Sequence, residues 1–287
     1  MKNALRLVAL LITAPAIAAP DAALPDVVGA ADLSGLRDVE LDIGALMQFR
    51  YTASVAPDSP DPIDDPAIGF SFRRLRTWVD FEAFDGDLRL FIQGDAGSGG
   101  NSRIDEAFGG HKIDDNWSVR WGLIRVAFNR EMWVSSKRQI AVDRGSLANN
   151  LNPGRSDKIH GVELAYEAEP WRFFFTAGEG LDSRWTSFNQ AGKSQWSLTL
   201  RGETLLVGDN FKQFKQYTAP SGTARGLMLG AAAHVQHTPM GGDRFAWTAD
   251  LNYQDSGFNA MIMGGGHVAE DRNTLAVGEP ESLFGVA

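Results

Sequence analysis

Apolar and polar side chains alternate along a series of segments, each about ten residues long. In the clearest segment, 245–254, Phe245, Trp247 and Leu251 fall on one face, and Thr248 and Asp250 fall on the other. Strict alternation is typical of a strand whose two faces meet different surroundings. One such segment fits any half-buried strand. A series of them, each long enough to cross hydrocarbon when tilted, predicts a transmembrane antiparallel β-barrel.

The alternation predicts eleven strands, and they cover residues 41–52, 69–84, 88–95, 104–111, 117–128, 159–167, 171–178, 196–207, 227–236, 245–254 and 258–267. Within 117–128 the apolar phase changes, which predicts a bulge near Leu123. Closed single-chain bacterial barrels have an even number of strands. We therefore expect an incomplete barrel of about eleven to twelve strands, truncated at its C-terminus.

The lengths of the predicted connections carry a second signal. Short turns follow strands two, four, six and ten, and longer connections follow strands one, five and seven. Outer-membrane barrels alternate short periplasmic turns with longer external loops in this way. The connection 208–225 breaks the pattern, because it should be a periplasmic turn and is long. The alternative, a secreted or periplasmic β-sandwich binding module, also has alternating strands but does not predict this sidedness.

The N-terminus has the three parts of a signal peptide. Lys2 and Arg6 are positively charged, 7–12 is apolar, and 16–18 is a small-x-small cleavage site. The apolar run is far shorter than the ~20 residues of a spanning helix. We therefore expect a signal peptide at 1–18, a periplasmic linker at 19–40 and a barrel domain at 41–287, exported to the bacterial outer membrane.

Composition and motifs exclude several classes of function. A net charge of −9 argues against a nucleic-acid partner. The absence of cysteine rules out thiol catalysis and cysteine metal sites. The histidines occur singly, and no Gly-x-Ser-x-Gly elbow is present. The sequence therefore predicts no metal, no cofactor, no catalytic residue and no enzyme activity. A further alternative is an outer-membrane barrel enzyme such as a lipase or protease, but the sequence does not show a nucleophile and a base that converge on the barrel wall.

One stretch resembles a known family. Eleven residues between 117 and 180 match its pattern of a strand ending in Gly and Phe, a Ser-Ser pair, a Val-Asp-Arg and a Pro-x-Arg before a glycine-containing strand. They are Gly122, Phe128, Glu131, Ser135, Ser136, Val142, Asp143, Arg144, Pro153, Arg155 and Gly161. In these positions the chain resembles the phosphate-selective porins of the O and P type. The resemblance implies a sixteen-strand homotrimeric barrel in lipid that passes small anions such as phosphate.

Cationic side chains are the candidate pore-lining and anion-binding residues. Arg74 and Arg76 lie on the polar face of the second strand, which would face the lumen. Lys137, Arg138, Arg144 and Arg155 lie on the long segment after the fifth strand, which often folds into the barrel of a porin. Arginine suits phosphate because its planar fork donates two hydrogen bonds at once. The alternative is that these side chains are solvated or paired with acids.

Overall fold

The computed structural model describes residues 37–54, 67–96, 102–139, 144–152, 157–181, 195–238, 242–269 and 281–286. The predicted signal peptide and most of the predicted linker lie outside these ranges. The described residues contain no helix that is long and apolar enough to span a membrane.

Twelve strands form one antiparallel sheet in which each strand pairs with the next along the chain. They are β1 (Glu40–Ser54), β2 (Ala67–Ala83), β3 (Leu88–Ala96), β4 (Ser102–Lys112), β5 (Trp117–Arg125), β6 (Lys158–Ala168), β7 (Trp171–Gly178), β8 (Trp196–Val207), β9 (Gly226–Thr238), β10 (Gly242–Asp255), β11 (Phe258–Ala269) and β12 (Glu281–Val286). Over the described ranges, no pairing joins β12 to β1. The fold is therefore an incomplete all-β barrel, as predicted, and a single continuous sheet is not the two-sheet sandwich of the alternative.

The two faces of the sheet are reversed relative to a soluble protein. Along β8, Leu198 and Leu200 are exposed, whereas Thr199 and Arg201 are buried. The contrast is large, since 55% of Leu200 is exposed and none of Arg201 is. Arginine is almost never fully buried unless it is paired. Exposed large apolar side chains recur along most of the strands, and such a continuous apolar face is typical of a sheet that contacts hydrocarbon. The alternation therefore places apolar side chains outside and polar side chains inside.

The end of β5 differs from the prediction. The strand ends at Arg125 rather than at Phe128, and its pairing with β4 continues in register through Leu123. Ile124, Val126 and Phe128 instead form a buried cluster inside the barrel. The apolar phase changes because the chain turns inward there, and no inserted residue is needed to explain it. The predicted bulge is therefore wrong.

Two connections enter the interior of the sheet. The inserted segment, 126–157, contains α1 (Arg130–Trp133), a 3₁₀ turn at Ser136–Arg138 and α2 (Ser146–Leu151). Asn129 caps α1, because its side-chain oxygen accepts hydrogen bonds from two backbone N–H groups at the start of the helix. The second insertion, 208–225, contains a 3₁₀ turn at Lys212–Lys215.

The inserted segment crosses from one side of the interior to the other. Ser136 Oγ accepts a hydrogen bond of 2.8 Å from Arg76 on β2. At the other side, the carbonyl oxygen of Phe128 accepts hydrogen bonds from Arg201 Nη1 (3.2 Å) and Thr248 Oγ1 (2.8 Å), on β8 and β10. These bonds satisfy a buried backbone carbonyl and tie the segment to both sides of the wall.

The second insertion explains the long connection that broke the predicted pattern. Phe211 and Phe214 are buried against Leu205 and Met228, so the connection folds inward from its end of the sheet. The backbone N–H of Tyr217 donates to the carbonyl oxygen of Arg138 at 2.8 Å. The two insertions start from opposite ends of the strands and meet inside.

We expect Gly44→Ala to destabilise the protein by about 1–3 kcal/mol, the usual cost of overpacking. The indole of Trp78 on β2 lies over Gly44 on β1, and a Cβ at Gly44 would collide with it. Unfolding by guanidinium in lipid vesicles, followed by tryptophan fluorescence, would measure the change. Gly69→Ala is the control, because nothing lies within 4 Å of a Cβ there. Equal stability of the two variants would show that the Trp78 packing is not tight.

Candidate functional site: a cavity inside the sheet

A cavity of about 440 Å³ lies between the inner face of β1–β7 and the inserted segment. Its lining contains six arginines and two lysines but only five carboxylates, an excess of three positive charges. The charged lining residues are Asp42, Asp80, Arg89, Glu106, Arg120, Arg125, Arg130, Lys137, Arg138, Glu163, Glu167, Arg172 and Lys215. Because the chain as a whole carries a net charge of −9, this positive excess is a local property of the interior.

Some of these cations are neutralised by carboxylates on the adjacent strand of the sheet. Arg89 Nη2 lies 2.6 Å from Asp80 Oδ2, and Arg120 Nε lies 2.7 Å from Glu163 Oε1. Such pairs satisfy the hydrogen-bonding groups of both partners. Paired in this way, they contribute little net charge to the cavity.

Three cations in the lining have no such partner. Lys137, Arg138 and Lys215 are exposed to the cavity, and over the described ranges no carboxylate oxygen lies within 4.0 Å of their charged nitrogens. Lys137 Nζ lies 3.9 Å from the centre of the Trp78 ring, close enough for a cation–π interaction. These three side chains carry the positive excess.

The surroundings of the two lysines disfavour their charged form. Loss of hydration lowers the pKa of Lys137, and the neighbouring Arg138 lowers it further. Loss of hydration likewise lowers the pKa of Lys215, against the opposing effect of Glu167, and Arg172 and Arg138 add to the lowering. The positive charges that line this part of the cavity create a positive potential, which attracts anions.

The structure brings together two of the six candidate residues in the cavity lining, Lys137 and Arg138. Arg74 Nη1 donates to Gln48 Oε1 at 2.7 Å and is not part of the lining. Arg155 lies outside the described residues.

Arg76 and Arg144 hold the inserted segment in place. Arg76 Nη2 lies 3.2 Å from Asp95 Oδ2 and 3.4 Å from Asp105 Oδ2, and Arg76 also donates to Ser136. Arg144 donates to the Met132 carbonyl oxygen at 3.0 Å and to Asp157 Oδ2 at 3.3 Å. Burial alone would raise the pKa of Asp157, but the charges of Lys158, Arg125 and Arg144 outweigh it and hold that pKa well below its ordinary value.

Lys215 was not predicted. It belongs to the second insertion, which the sequence places at the periplasmic end, away from the inserted segment. The two phenylalanines that precede it, Phe211 and Phe214, are the sequence signal from which this could have been predicted, because large apolar side chains are unusual in an exposed turn.

A buried ion cluster joins the inserted segment to the far wall. Glu203 accepts hydrogen bonds from Arg130 (3.2 Å), Arg201 (2.8 Å) and Arg172, and Arg201 Nη2 lies 2.6 Å from Asp250 Oδ2. All five side chains are almost completely buried. Buried charges persist only when paired and hydrogen-bonded, so three arginines around two carboxylates form a rigid anchor.

The described residues hold no group of three or more His, Asp or Glu side chains placed to bind a metal ion. His234 lies inside the wall, 2.7 Å from Thr199 Oγ1 through Nδ1 and 3.1 Å from Gln236 Oε1 through Nε2. These contacts are typical of a packed interior histidine.

No protein-family model matches the chain, and no curated protein matches it. Two similar solved structures are those of OmpT, an outer membrane protein of Vibrio cholerae. A loop L8 deletion mutant is 14% identical and has a TM-score of 0.42, and the match covers 86% of this chain and 88% of that one. An in-vitro folded trimer form is 11% identical with a TM-score of 0.42, and the match covers 86% and 83%.

These neighbours are described as outer membrane proteins. The incomplete β-barrel fold of this chain follows from its own single antiparallel sheet and from the apolar outer and polar inner faces of that sheet. The neighbours do not distinguish the phosphate-selective family from other barrels. The prediction that the chain is not an enzyme is also corrected, because it rested on missing sequence motifs alone. A β-barrel fold can host unrelated functions, and catalysis does not require a familiar motif. The exclusion of catalysis from sequence motifs is therefore withdrawn.

Proposed function

We propose that this protein is an outer-membrane porin through which small hydrophilic solutes diffuse, with a preference for anions. The observation that carries the proposal is the cavity on the inner face of the sheet. Its lining contains three cations that have no carboxylate partner among the described residues. A sheet with an apolar outer face and a polar inner face supports a water-filled interior. Cations along such a path raise the local concentration of anions and replace part of their water shell.

The predicted solute, oligomeric state and export signal are also part of this proposal. The resemblance to phosphate-selective porins suggests phosphate among the solutes. The trimer form of the OmpT neighbour supports a homotrimer in outer-membrane lipid. A cleaved signal peptide at 1–18 and a linker at 19–40 would deliver the barrel domain to that membrane.

The direct test is conductance of the full chain in a planar lipid bilayer under a potassium chloride gradient. An anion-preferring pore gives a reversal potential displaced toward the equilibrium potential of chloride. A cation-preferring pore would contradict the selectivity, and a bilayer without conductance would contradict the porin function.

We expect the anion preference to fall as the pH rises toward 10.5, the ordinary pKa of lysine. The pKa of Lys137 and that of Lys215 are both lowered from 10.5, so each lysine loses its proton, and with it a positive charge, at a lower pH than an ordinary lysine. Reversal potentials measured across this range would follow the titration.

Lys137→Arg combined with Lys215→Arg is the matched variant, since arginine does not titrate below pH 12. The variant should keep its anion preference over the whole range. A wild-type preference that stays constant to pH 10, or a variant that loses it equally, would remove both lysines from the selectivity.

A further inference from the structure

The cavity is larger and more aromatic than an inorganic anion requires. A volume of about 440 Å³ lies within the range of sites for small organic molecules. Besides its charges, the lining contains the rings of Trp78, Phe91, Phe108, Trp133 and Phe174. Ring surfaces bring no benefit to a small hydrated ion, because they cannot replace its water shell.

The rings and the cations are in direct contact. Lys137 lies over Trp78, at 3.9 Å from the ring centre. Phe108 lies beside Arg89 (5.5 Å) and Arg120 (5.7 Å) and near Phe91, whose ring centre is 5.3 Å away. A ligand in the cavity therefore meets flat apolar surface and positive charge together.

The unpaired cations come from both insertions, and a backbone hydrogen bond holds those insertions together. The Tyr217 N–H donates to the Arg138 carbonyl oxygen at 2.8 Å, two residues from Lys215 and one from Lys137. The backbone segments that carry the three cations are consequently held next to each other before a ligand arrives. Such preorganisation favours binding because little ordering remains to be done.

We propose that this cavity binds organic anions that combine a carboxylate with a flat aromatic ring, such as aryl carboxylates. The carboxylate is held by Lys137, Arg138 and Lys215, and the ring packs among the aromatic side chains of the lining. This inference rests on the proposed function, because the cavity would be a binding site along the path by which anions cross the pore. Apolar burial of the ring and its contacts with the aromatic side chains of the lining add to the charge attraction, whereas a small anion gains the charge attraction alone.

The test is equilibrium dialysis of the full chain, purified in detergent, against labelled benzoate, acetate, inorganic phosphate and benzyl alcohol. Benzoate should bind about ten-fold tighter than acetate or phosphate, because a ring contact of about 1.4 kcal/mol is a factor of ten. Benzyl alcohol has the ring without the charge and should bind weakly. Equal binding of benzoate and acetate would overturn the inference.

Lys137→Gln combined with Lys215→Gln should weaken benzoate binding about ten-fold, because two of the three unpaired cations are removed. The control is Lys212→Gln, an exposed lysine on the same 3₁₀ turn as Lys215 that is not part of the lining. It should bind benzoate as the wild type does. Benzoate binding that is the same in the wild type and the double variant would also overturn the inference.

Conductance of the same preparation separates this inference from the proposed function. A pore that prefers chloride but binds benzoate no better than acetate overturns the aromatic site and leaves the porin function standing. A protein that binds benzoate through Lys137 and Lys215 yet never conducts supports the site and overturns the pore.

Discussion

Glu203→Gln is expected to destabilise the barrel by about 3–5 kcal/mol, the usual cost of removing one partner from a buried ion cluster. Glu203 is the carboxylate that Arg130, Arg172 and Arg201 share, and it is almost completely buried. An amide keeps the shape but not the charge, so Asp250 alone would face three buried guanidinium groups. Guanidinium unfolding in lipid vesicles would measure the loss.

Glu167→Gln is the control for this prediction. Glu167 lies 3.8 Å from the same Arg172, but its side chain is about half exposed. Exposed ion pairs contribute about 0–1 kcal/mol, so this variant should unfold nearly as the wild type does. If both variants lost the same small amount of stability, the cluster at Glu203 would not be the anchor of the inserted segment.

Replacing Lys137, Arg138 and Lys215 together by glutamate is expected to reverse the selectivity of the pore. The lining has eight cations and five carboxylates, and the triple variant has five cations and eight carboxylates. The excess of three positive charges becomes an excess of three negative charges, so cations should be concentrated in the cavity. The reversal potential in a potassium chloride gradient should change sign.

The matched control is the triple replacement of Lys112, Lys212 and Arg225 by glutamate. These exposed residues lie outside the cavity lining, and their replacement changes the net charge of the chain by the same amount. The control should keep the anion preference. If it reversed the selectivity as well, the total charge of the protein would govern permeation and the cavity would not.

The strands could be predicted because each carries its own alternation. In β8 and β10, a period of two specifies both the extended conformation and the face that meets hydrocarbon, whatever the neighbouring strands are. β12 was missed, because its six residues follow directly on a polar stretch and are too short to show a clear period. The end of β5 was misplaced because Ile124, Val126 and Phe128 are apolar for a different reason, packing inside the barrel.

The candidate site could be predicted only in part. A positively charged segment after the fifth strand is visible in the sequence, and Lys137 and Arg138 were found in this way. Which of its cations stay unpaired depends on carboxylates far away in the chain. Arg76 is neutralised by Asp95 and Asp105, and Arg130 by Glu203. No local pattern shows such partners.

Eleven of the twelve described strands and their two faces could therefore be predicted from local periodicity and short connections. The interior of the barrel is visible only in the folded protein. Two insertions that start at opposite ends of the sheet meet at the hydrogen bond between Tyr217 and Arg138, and this meeting places Lys215 in the same cavity as Lys137. Contacts between segments so far apart in the chain depend on how the whole sheet curves, and local alternation carries no information about that curvature.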